Sequence, residues 1–217
     1  MAKFFVSNKD ESVRMFKSNA LDKISRIHFS VPLYIYIPII LVCLYRAVFV
    51  FQNNFFAILG LMVVGLVLWT FTEYNLHRFV FHYVPKSKIG LRIHFITHGV
   101  HHDYPNDSKR LVMVPAISMP LCVIFYTLFY FIFGQTYVDA FFVGYVAGYL
   151  FYDMTHYALH HTNFKSKFWI DLKQHHMRHH YLEPDKGYGV STAFWDHVYR
   201  TTFRKKELKP EKETVEA

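Results

Sequence analysis

The histidines are the side chains in this sequence best suited to chemistry. Fourteen of the fifteen lie between His77 and His197, and only His28 lies outside that range. Imidazole binds first-row transition metals and changes its charge near neutral pH. A dozen imidazoles brought together would repel one another if protonated, so the pattern favours neutral ligands of metal ions. Thirteen of the fourteen form four groups: His77-x4-His82, His94-x3-His98-x2-His101-His102, His156-x3-His160-His161 and His175-His176-x2-His179-His180.

Helical spacing indicates which imidazoles can converge. Residues three or four apart share a helix face, which joins His98 to both His101 and His102. Adjacent residues diverge by about 100°, so His101 and His102 can serve two neighbouring ions, as can His179 and His180. The ten or more imidazoles in these groups exceed the roughly four to six ligands of one ion, which predicts two ions.

One spacing does not fit a regular helix. His77 and His82 are five residues apart, whereas neighbours on one face of an α-helix are three or four apart. We therefore expect the helix to end between these two residues, or His82 to reach the site from a turn.

Four apolar blocks indicate that the histidines belong to a membrane protein. The first and third are long enough to cross a bilayer as helices, which takes about 20 residues. The second and fourth are shorter and run on into polar helices that carry histidines. Short uncharged connections join the blocks in pairs, which predicts four transmembrane helices in two hairpins. The blocks are residues 31–51, 55–71, 111–133 and 137–152.

The placement of charge favours this interpretation over buried helices in a soluble core. Of the 24 Lys and Arg residues, all but Arg46 precede the first block, separate the second from the third, or follow the fourth. Four crossings put these segments on one side, which the positive-inside rule makes cytoplasmic. The net charge of +8 then suits anionic headgroups. Nucleic acid is disfavoured as a partner because the basic residues follow the spans rather than one patch.

The predicted fold class is therefore all-α: an integral membrane protein with a cytoplasmic, histidine-rich helical cap that holds a dinuclear metal site. We expect a cytoplasmic segment over residues 1–30 and a single membrane-embedded domain over 31–203. The charged tail, 204–217, is predicted to be disordered. Both termini and the histidines are expected on the cytoplasmic side of a bacterial inner membrane or the endoplasmic reticulum. The Gly144-x3-Gly148 spacing predicts close helix contact.

The residues around the histidines carry a family resemblance. They read Glu73-Tyr74-x2-His77-Arg78-Phe79, His98-Gly99-x-His101-His102, Tyr152-Asp153-Met154-Thr155-His156-Tyr157 and Gly189-Val190-Ser191-Thr192-x2-Trp195-Asp196. This pattern, over roughly residues 65–203, resembles the fatty acid hydroxylase/sterol desaturase superfamily, and in particular the fatty acid 2-hydroxylases that act on sphingolipid acyl chains.

The resemblance implies a dinuclear centre with ten histidine ligands. His94 and His175 are expected beside the ligands, and His161 is not expected to be one. Which five residues bind which ion stays open. The ten are His77, His82, His98, His101, His102, His156, His160, His176, His179 and His180.

The resemblance also implies O2-dependent hydroxylation at C2 of the acyl chain of a fatty acid or a ceramide. Hydroxylating an unactivated carbon requires a redox-active metal, so two irons are expected. Zinc has no redox chemistry, and zinc in the purified protein would indicate replacement of iron. Many relatives carry a fused cytochrome b5 domain, but this sequence has no His-Pro-Gly-Gly haem signature. We therefore expect an external electron donor, such as a cytochrome b5 or a ferredoxin-type protein.

Two carboxylates and one tyrosine are further candidates. Asp153 and Glu73 lie one helical turn before His156 and His77, where a carboxylate can accept a hydrogen bond and orient an imidazole. An ordinary cap or ion pair is the alternative for each. Tyr152 is a candidate for the substrate entrance.

Two other functions stay open. The first is another lipid oxidation of the superfamily: sterol oxidation, carotenoid hydroxylation or desaturation. The second is a non-catalytic metal transporter or metal-binding protein. A transporter is expected to place ligands and charges near the bilayer midplane, inside its helices. The apolar blocks contain only Arg46 and Asp139 as charged residues, which disfavours transport.

Overall fold

The computed structural model of the protein describes residues 5–203, and within this range the chain forms helices and no β-strand. The predicted all-α class is confirmed. The tail predicted at 204–217 lies outside the described residues. The α-helices are α1 Asn19–Ile24, α2 Val31–Tyr45, α3 Phe55–Asn75, α4 Lys88–His94, α5 Val100–Asp103, α6 Pro115–His161, α7 Lys167–Tyr181 and α8 Phe194–Val198.

Three helical stretches in the described residues are long and apolar enough to cross a membrane. They are Val31–Val50, Phe55–Phe81 and Pro115–His161. Large apolar side chains project outward from them, such as Phe56, 81% exposed, and Phe131, 79% exposed. Helices that are apolar all round need an apolar environment, so these surfaces fit the hydrocarbon of a bilayer rather than water.

The third stretch is broken at Gly134, where φ is 67° and ψ is 174°. Glycine adopts this positive φ without the steric strain that a Cβ would cause. The residues on either side of the break pack together: Phe129 lies 4.7 Å from Phe141 and Tyr126 lies 5.0 Å from Phe142, measured between ring centroids. In one straight helix, residues twelve apart would be separated by about 18 Å. The two halves of α6 therefore form an antiparallel hairpin.

The two charges within the apolar blocks contact each other. Arg46 Nε donates to Asp139 Oδ2 at 2.8 Å, and the Tyr126 hydroxyl donates to Asp139 Oδ1 at 2.9 Å. Asp139 is fully buried, whereas the Arg46 side chain is 41% exposed. A buried carboxylate needs partners that replace its hydration, and here they tie the end of the first stretch to both halves of α6.

Glycines bring α3 and the second half of α6 into backbone contact. A Cβ added to Gly144 would lie 2.7 Å from Met62 Cα, and one added to Gly148 would lie 2.7 Å from Trp69 Cβ. On the facing helix, a Cβ on Gly65 would lie 2.8 Å from the Tyr145 nitrogen. The close contact predicted from the Gly144-x3-Gly148 spacing is confirmed.

The N-terminal segment, residues 5–30, lies across the cap as a strap held by polar contacts. The N–H groups of Val6 and Ser7 donate to the Asp103 carbonyl. The Ser12 hydroxyl donates to Asp107 at 2.6 Å. The segment thereby covers the region from α5 to the start of α6.

The glycine contact leads to a stability prediction. Gly144→Ala is expected to lower the thermal unfolding midpoint in detergent by several degrees, because overpacking of a tight contact costs about 1–3 kcal/mol. Gly60→Ala on α3 is the matched control, since no packing neighbour in the described part of the chain lies within 4 Å of a Cβ added there. That control should leave the midpoint unchanged or raise it. Equal midpoints for both variants would show that the close contact does not limit stability.

Candidate metal centre

Wide helical turns deliver the first histidines. α3 passes into a π-helical turn, Leu76–Phe81, and the His82 N–H donates to the His77 carbonyl at 3.1 Å. A π turn bonds residues five apart, so His77 and His82 come to lie on one face despite their separation. The helical turn ends at Phe81, between the two histidines, as the spacing predicted.

A second π-helical turn, Phe95–Gly99, carries His98 and leads directly into α5. α5 contributes His101 and His102. α6 contributes His156 and His160 from one face of its last turns. α7 carries the remaining three, which are almost completely buried: His176, His179 and His180.

The structure brings the ten predicted histidines together in two groups of five. Within each group the candidate ligand atoms all lie within 4.8 Å of one another. Adjacent histidines on a helix were expected to serve different ions. His101 and His102 fall in different groups, and so do His179 and His180. Group one contains His77, His82, His98, His102 and His179. Group two contains His101, His156, His160, His176 and His180.

The spacing of the nitrogens fits metal ligation better than hydrogen bonding. His98 Nε2 lies 3.2, 3.1 and 3.0 Å from the Nε2 atoms of His77, His82 and His102. A neutral imidazole has one N–H, which can serve only one such neighbour. Ligands about 2.1 Å from a single ion lie about 3 Å apart where their bonds meet near a right angle. The donor set therefore fits a metal ion in group one.

Group two has the same arrangement. His176 Nε2 lies 3.0 Å from His160 Nε2 and 3.1 Å from His180 Nε2. His156 Nε2 lies 2.9 Å from His101 Nε2. Every ligand candidate in group two is buried, which keeps water from competing for the nitrogens.

Backbone carbonyls set the orientation of two imidazoles in group one. His77 Nδ1–H donates to the Tyr188 carbonyl at 2.5 Å, and His179 Nδ1–H donates to the Lys186 carbonyl at 2.7 Å. Each bond fixes the tautomer that leaves Nε2 as a bare lone pair. Nε2 of His179 is buried and has no hydrogen-bond partner among residues 5–203, as expected of a ligand atom.

Glu73 holds the loop that supplies those carbonyls. Its Oε1 accepts from the N–H groups of Val190 and Ser191, both at 2.8 Å, and its Oε2 accepts from the Ser191 hydroxyl at 2.5 Å. These donors differ from the imidazole that the sequence suggested as its partner. Glu73 therefore holds the loop whose Tyr188 carbonyl accepts from His77.

Asp196 anchors the same loop from the other side, and the sequence analysis did not select it as a site residue. It accepts from the N–H groups of Tyr188 and Gly189 at 2.9 and 2.8 Å and from the Thr201 hydroxyl at 2.7 Å. His175 Nε2 lies 3.1 Å away. Burial opposes ionisation, but these hydrogen bonds prevail and hold the pKa of Asp196 below its usual value. The Gly189–Asp196 match to the family was the available signal.

Tyr152 lies beside group two, and Asp153 is the next residue of α6. The Tyr152 ring stacks on the His156 ring with 5.8 Å between centroids. Asp153 is buried, and its Oδ2 has no hydrogen-bond partner in the described residues. Of the remaining histidines, His161 lies outside both groups and packs on Tyr157.

A surface cavity of about 260 Å³ reaches group one from outside the bilayer helices. His82, His98 and His102 form part of its wall, together with His94 and Asp185. His94 therefore lies beside the ligand candidates, as expected.

Burial and mutual repulsion keep the cap imidazoles neutral, the form that binds metals. Desolvation is the main cause and neighbouring imidazoles are the next. Together they hold the pKa well below its usual range for His98, His101, His102, His176, His179 and His180.

These features define a class: a helical protein with membrane-length apolar helices and a histidine-rich cap able to hold metal ions. The comparison with known families is more specific. The family model for fatty acid hydroxylase matches residues 62–201. The chain therefore belongs to the fatty acid hydroxylase family, whose members are membrane oxidoreductases.

Several characterised relatives are similar over most of the chain. Dihydroceramide fatty acyl 2-hydroxylase FAH1 of Arabidopsis thaliana is 36% identical over 88% of this chain and 80% of its own length. Fatty acid 2-hydroxylase of Mus musculus is 34% identical over 87% of this chain and 56% of the mouse protein. A solved structure, full-length scs7p with only the hydroxylase domain visible, aligns with a TM-score of 0.80. It is 36% identical, and the alignment covers 86% of this chain and 70% of that one.

The depressed imidazole pKa values predict how stability depends on pH. Unfolded histidines titrate near pH 6.5, so below that pH the unfolded chain takes up protons that the folded cap excludes. We expect the unfolding midpoint of chelator-treated protein to be steady from pH 8 to about 7 and to fall steeply below about 6.5. Each buried imidazole contributes up to about 1.4 kcal/mol per pH unit. His197→Gln, at an exposed position, is the control that should leave the profile unchanged. A flat profile would contradict the burial of neutral imidazoles.

Proposed function

We propose that this chain hydroxylates C2 of the acyl chain of a fatty acid or a ceramide, using two metal ions held by five histidines each. The observation that carries the proposal is the convergence of ten imidazoles into two groups of matched size at the ends of apolar helices. The names of the relatives, which specify acyl 2-hydroxylation, support this substrate and position.

The ten histidines of groups one and two would hold the ions, and we expect iron. When bound, a redox-active pair would supply the activation of O2 and the removal of hydrogen from C2. One oxygen atom enters the new C–OH bond and the other leaves as water, which consumes two electrons and two protons. Because no side chain of this protein is a two-electron donor, the electrons come from an external partner such as a cytochrome b5 or a ferredoxin-type protein.

The chain's own residues orient the ligands. The carbonyls of Tyr188 and Lys186 point two Nε2 lone pairs into group one. Glu73 is a positioning residue in this proposal, because it fixes the loop rather than touching the reacting atoms. We propose that Asp153 orients His156, one helical turn away, and that Tyr152 borders the acyl substrate.

We further propose that α6 crosses the bilayer twice, which gives four crossings in all. The support is the hairpin at Gly134 and the Arg46–Asp139 pair near that turn. Both termini and the cap would then lie on the cytoplasmic side, where the basic residues concentrate. Metal transport fits less well, because the ligand candidates lie at helix ends and in the cap rather than within the spans.

The proposed reaction can be tested by product analysis. We expect expression in a host that lacks 2-hydroxy lipids, together with an electron donor, to produce 2-hydroxy fatty acids detectable by mass spectrometry of hydrolysed lipids. Membranes that contain the His101→Ala variant serve as the matched control and should lack them. Oxidised sterols or carotenoids without 2-hydroxy acids would replace this proposal with another oxidation of the superfamily.

The division into two groups can be tested by metal analysis. His179→Ala alters group one and His101→Ala alters group two, so each is expected to retain about one ion per chain where the unmodified protein holds about two. His197→Ala should keep both ions. The measurement is elemental mass spectrometry of purified protein, with insertion into membranes checked by fractionation. Full metal content in both ligand variants would refute the assignment.

A further inference from the structure

We propose that an apolar cavity between the N-terminal segment and the cap holds the acyl chain of the substrate, and that residues 15–24 form one of its walls. The cavity has a volume of about 240 Å³. The inference rests on the proposed hydroxylase function and names the place where the lipid chain would lie.

Three parts of the chain form the cavity. The N-terminal segment contributes Phe16, Leu21 and Ile24. The cap contributes Ile96 and Val100 from the π-helical turn and α5. The third side is closed by the segment that leads into α6 and by the first turn of that helix. These parts contribute Val112, Met113, Val114, Ala116 and Ile117. Eleven of the fifteen lining side chains are apolar, and the polar ones are Ser25, Thr97, His101 and Arg110. A mostly apolar lining suits an aliphatic chain better than a polar metabolite.

Two lining residues relate the cavity to the rest of the molecule. His101, a ligand candidate of group two, forms part of the wall. Ile117, in the first turns of α6 where that helix begins its apolar stretch, forms another part. Leu21 and Ile24 are 48% and 59% exposed while also lining the cavity, so they border its opening. The cavity thus borders both the metal centre and the start of an apolar helix.

Polar contacts hold the N-terminal wall in place. Asp22 Oδ1 accepts from the N–H groups of Met15 and Phe16 at 2.7 and 3.3 Å. Arg110 contacts the carboxylates of Asp22 and Asp107 at 3.5 and 3.4 Å. These contacts fix the path of residues 15–22 against the segment that precedes α6, so the wall has a defined position.

The wall lies outside the part of the chain that carries the family pattern, which is residues 62–201. The histidines that would perform the reaction lie inside that part. The N-terminal wall is thus separate from the part of the chain that holds the metal centre, and a change in this wall leaves the ligand histidines in place. We infer that residues 15–24 help to set the preferred acyl-chain length of this protein.

Photo-crosslinking tests the location directly. The full-length protein in nanodiscs would be irradiated with a palmitate-length acid that carries a diazirine at mid-chain, and labelled peptides would be mapped by mass spectrometry. We expect labels within residues 15–24 and 96–117. Ile24→Trp should reduce this labelling at least fivefold, because the indole narrows the opening. Ile89→Trp is the matched control, since Ile89 is 76% exposed on α4 and does not line the cavity. Labels confined to the outer faces of α2 and α3 would overturn the proposal.

Product chain length gives a second measurement. Ile24→Trp is expected to shift 2-hydroxy acids toward shorter chains, and Phe16→Ala to shift them toward longer chains, with metal content unchanged in both. An unaltered length profile in two metal-replete variants would refute the inference while leaving hydroxylation intact. Labelling of the cavity in protein that makes no 2-hydroxy acid would instead support the lipid site and refute the proposed reaction.

Discussion

Imidazole lone pairs that face one another about 3 Å apart need a cation between them. His98 Nε2 meets three such neighbours and His176 Nε2 meets two. Protonation cannot relieve this repulsion at neutral pH, because burial and the neighbouring imidazoles depress the pKa of both residues. The cap therefore holds its histidines in an arrangement that is unfavourable alone and favourable around metal ions. Much of the surrounding structure serves to maintain it.

Backbone elements provide that support. A π-helical turn puts His77 and His82 on one face, and the loop that contains Tyr188 and Lys186 fixes two tautomers. Two buried carboxylates hold the loop through its N–H groups. Both carboxylates contact the loop backbone, so they position the imidazoles through the loop.

The sequence predicted the helices and the ten clustered histidines because both depend on local patterns. The apolar blocks are set by composition, and convergence within a group follows from residues three or four apart sharing a face. The division into two sets of five depends on how α3, α5, α6 and α7 pack, which no local spacing encodes. The hydrogen-bond partners of Glu73 were not predicted for the same reason. Its partners at Val190 and Ser191 lie more than a hundred residues away, and loop conformation cannot be read from periodicity.

Packing within the apolar helices also constrains the metal centre. α3 and the second half of α6 run in the same direction and meet at Gly65 and Gly144. His77 follows Gly65 by twelve residues, and His156 follows Gly144 by the same number. Equal helical distances of about 18 Å bring the two histidines to the same level above the glycine contact. His77 belongs to group one and His156 to group two. The register between α3 and α6 therefore sets the positions of the two groups relative to each other along the helix axes. A larger side chain at the contact would separate or shift the helices and move one group against the other. The small residues in the apolar helices therefore do more than stabilise the fold, because they determine where the chemistry at the helix ends can take place.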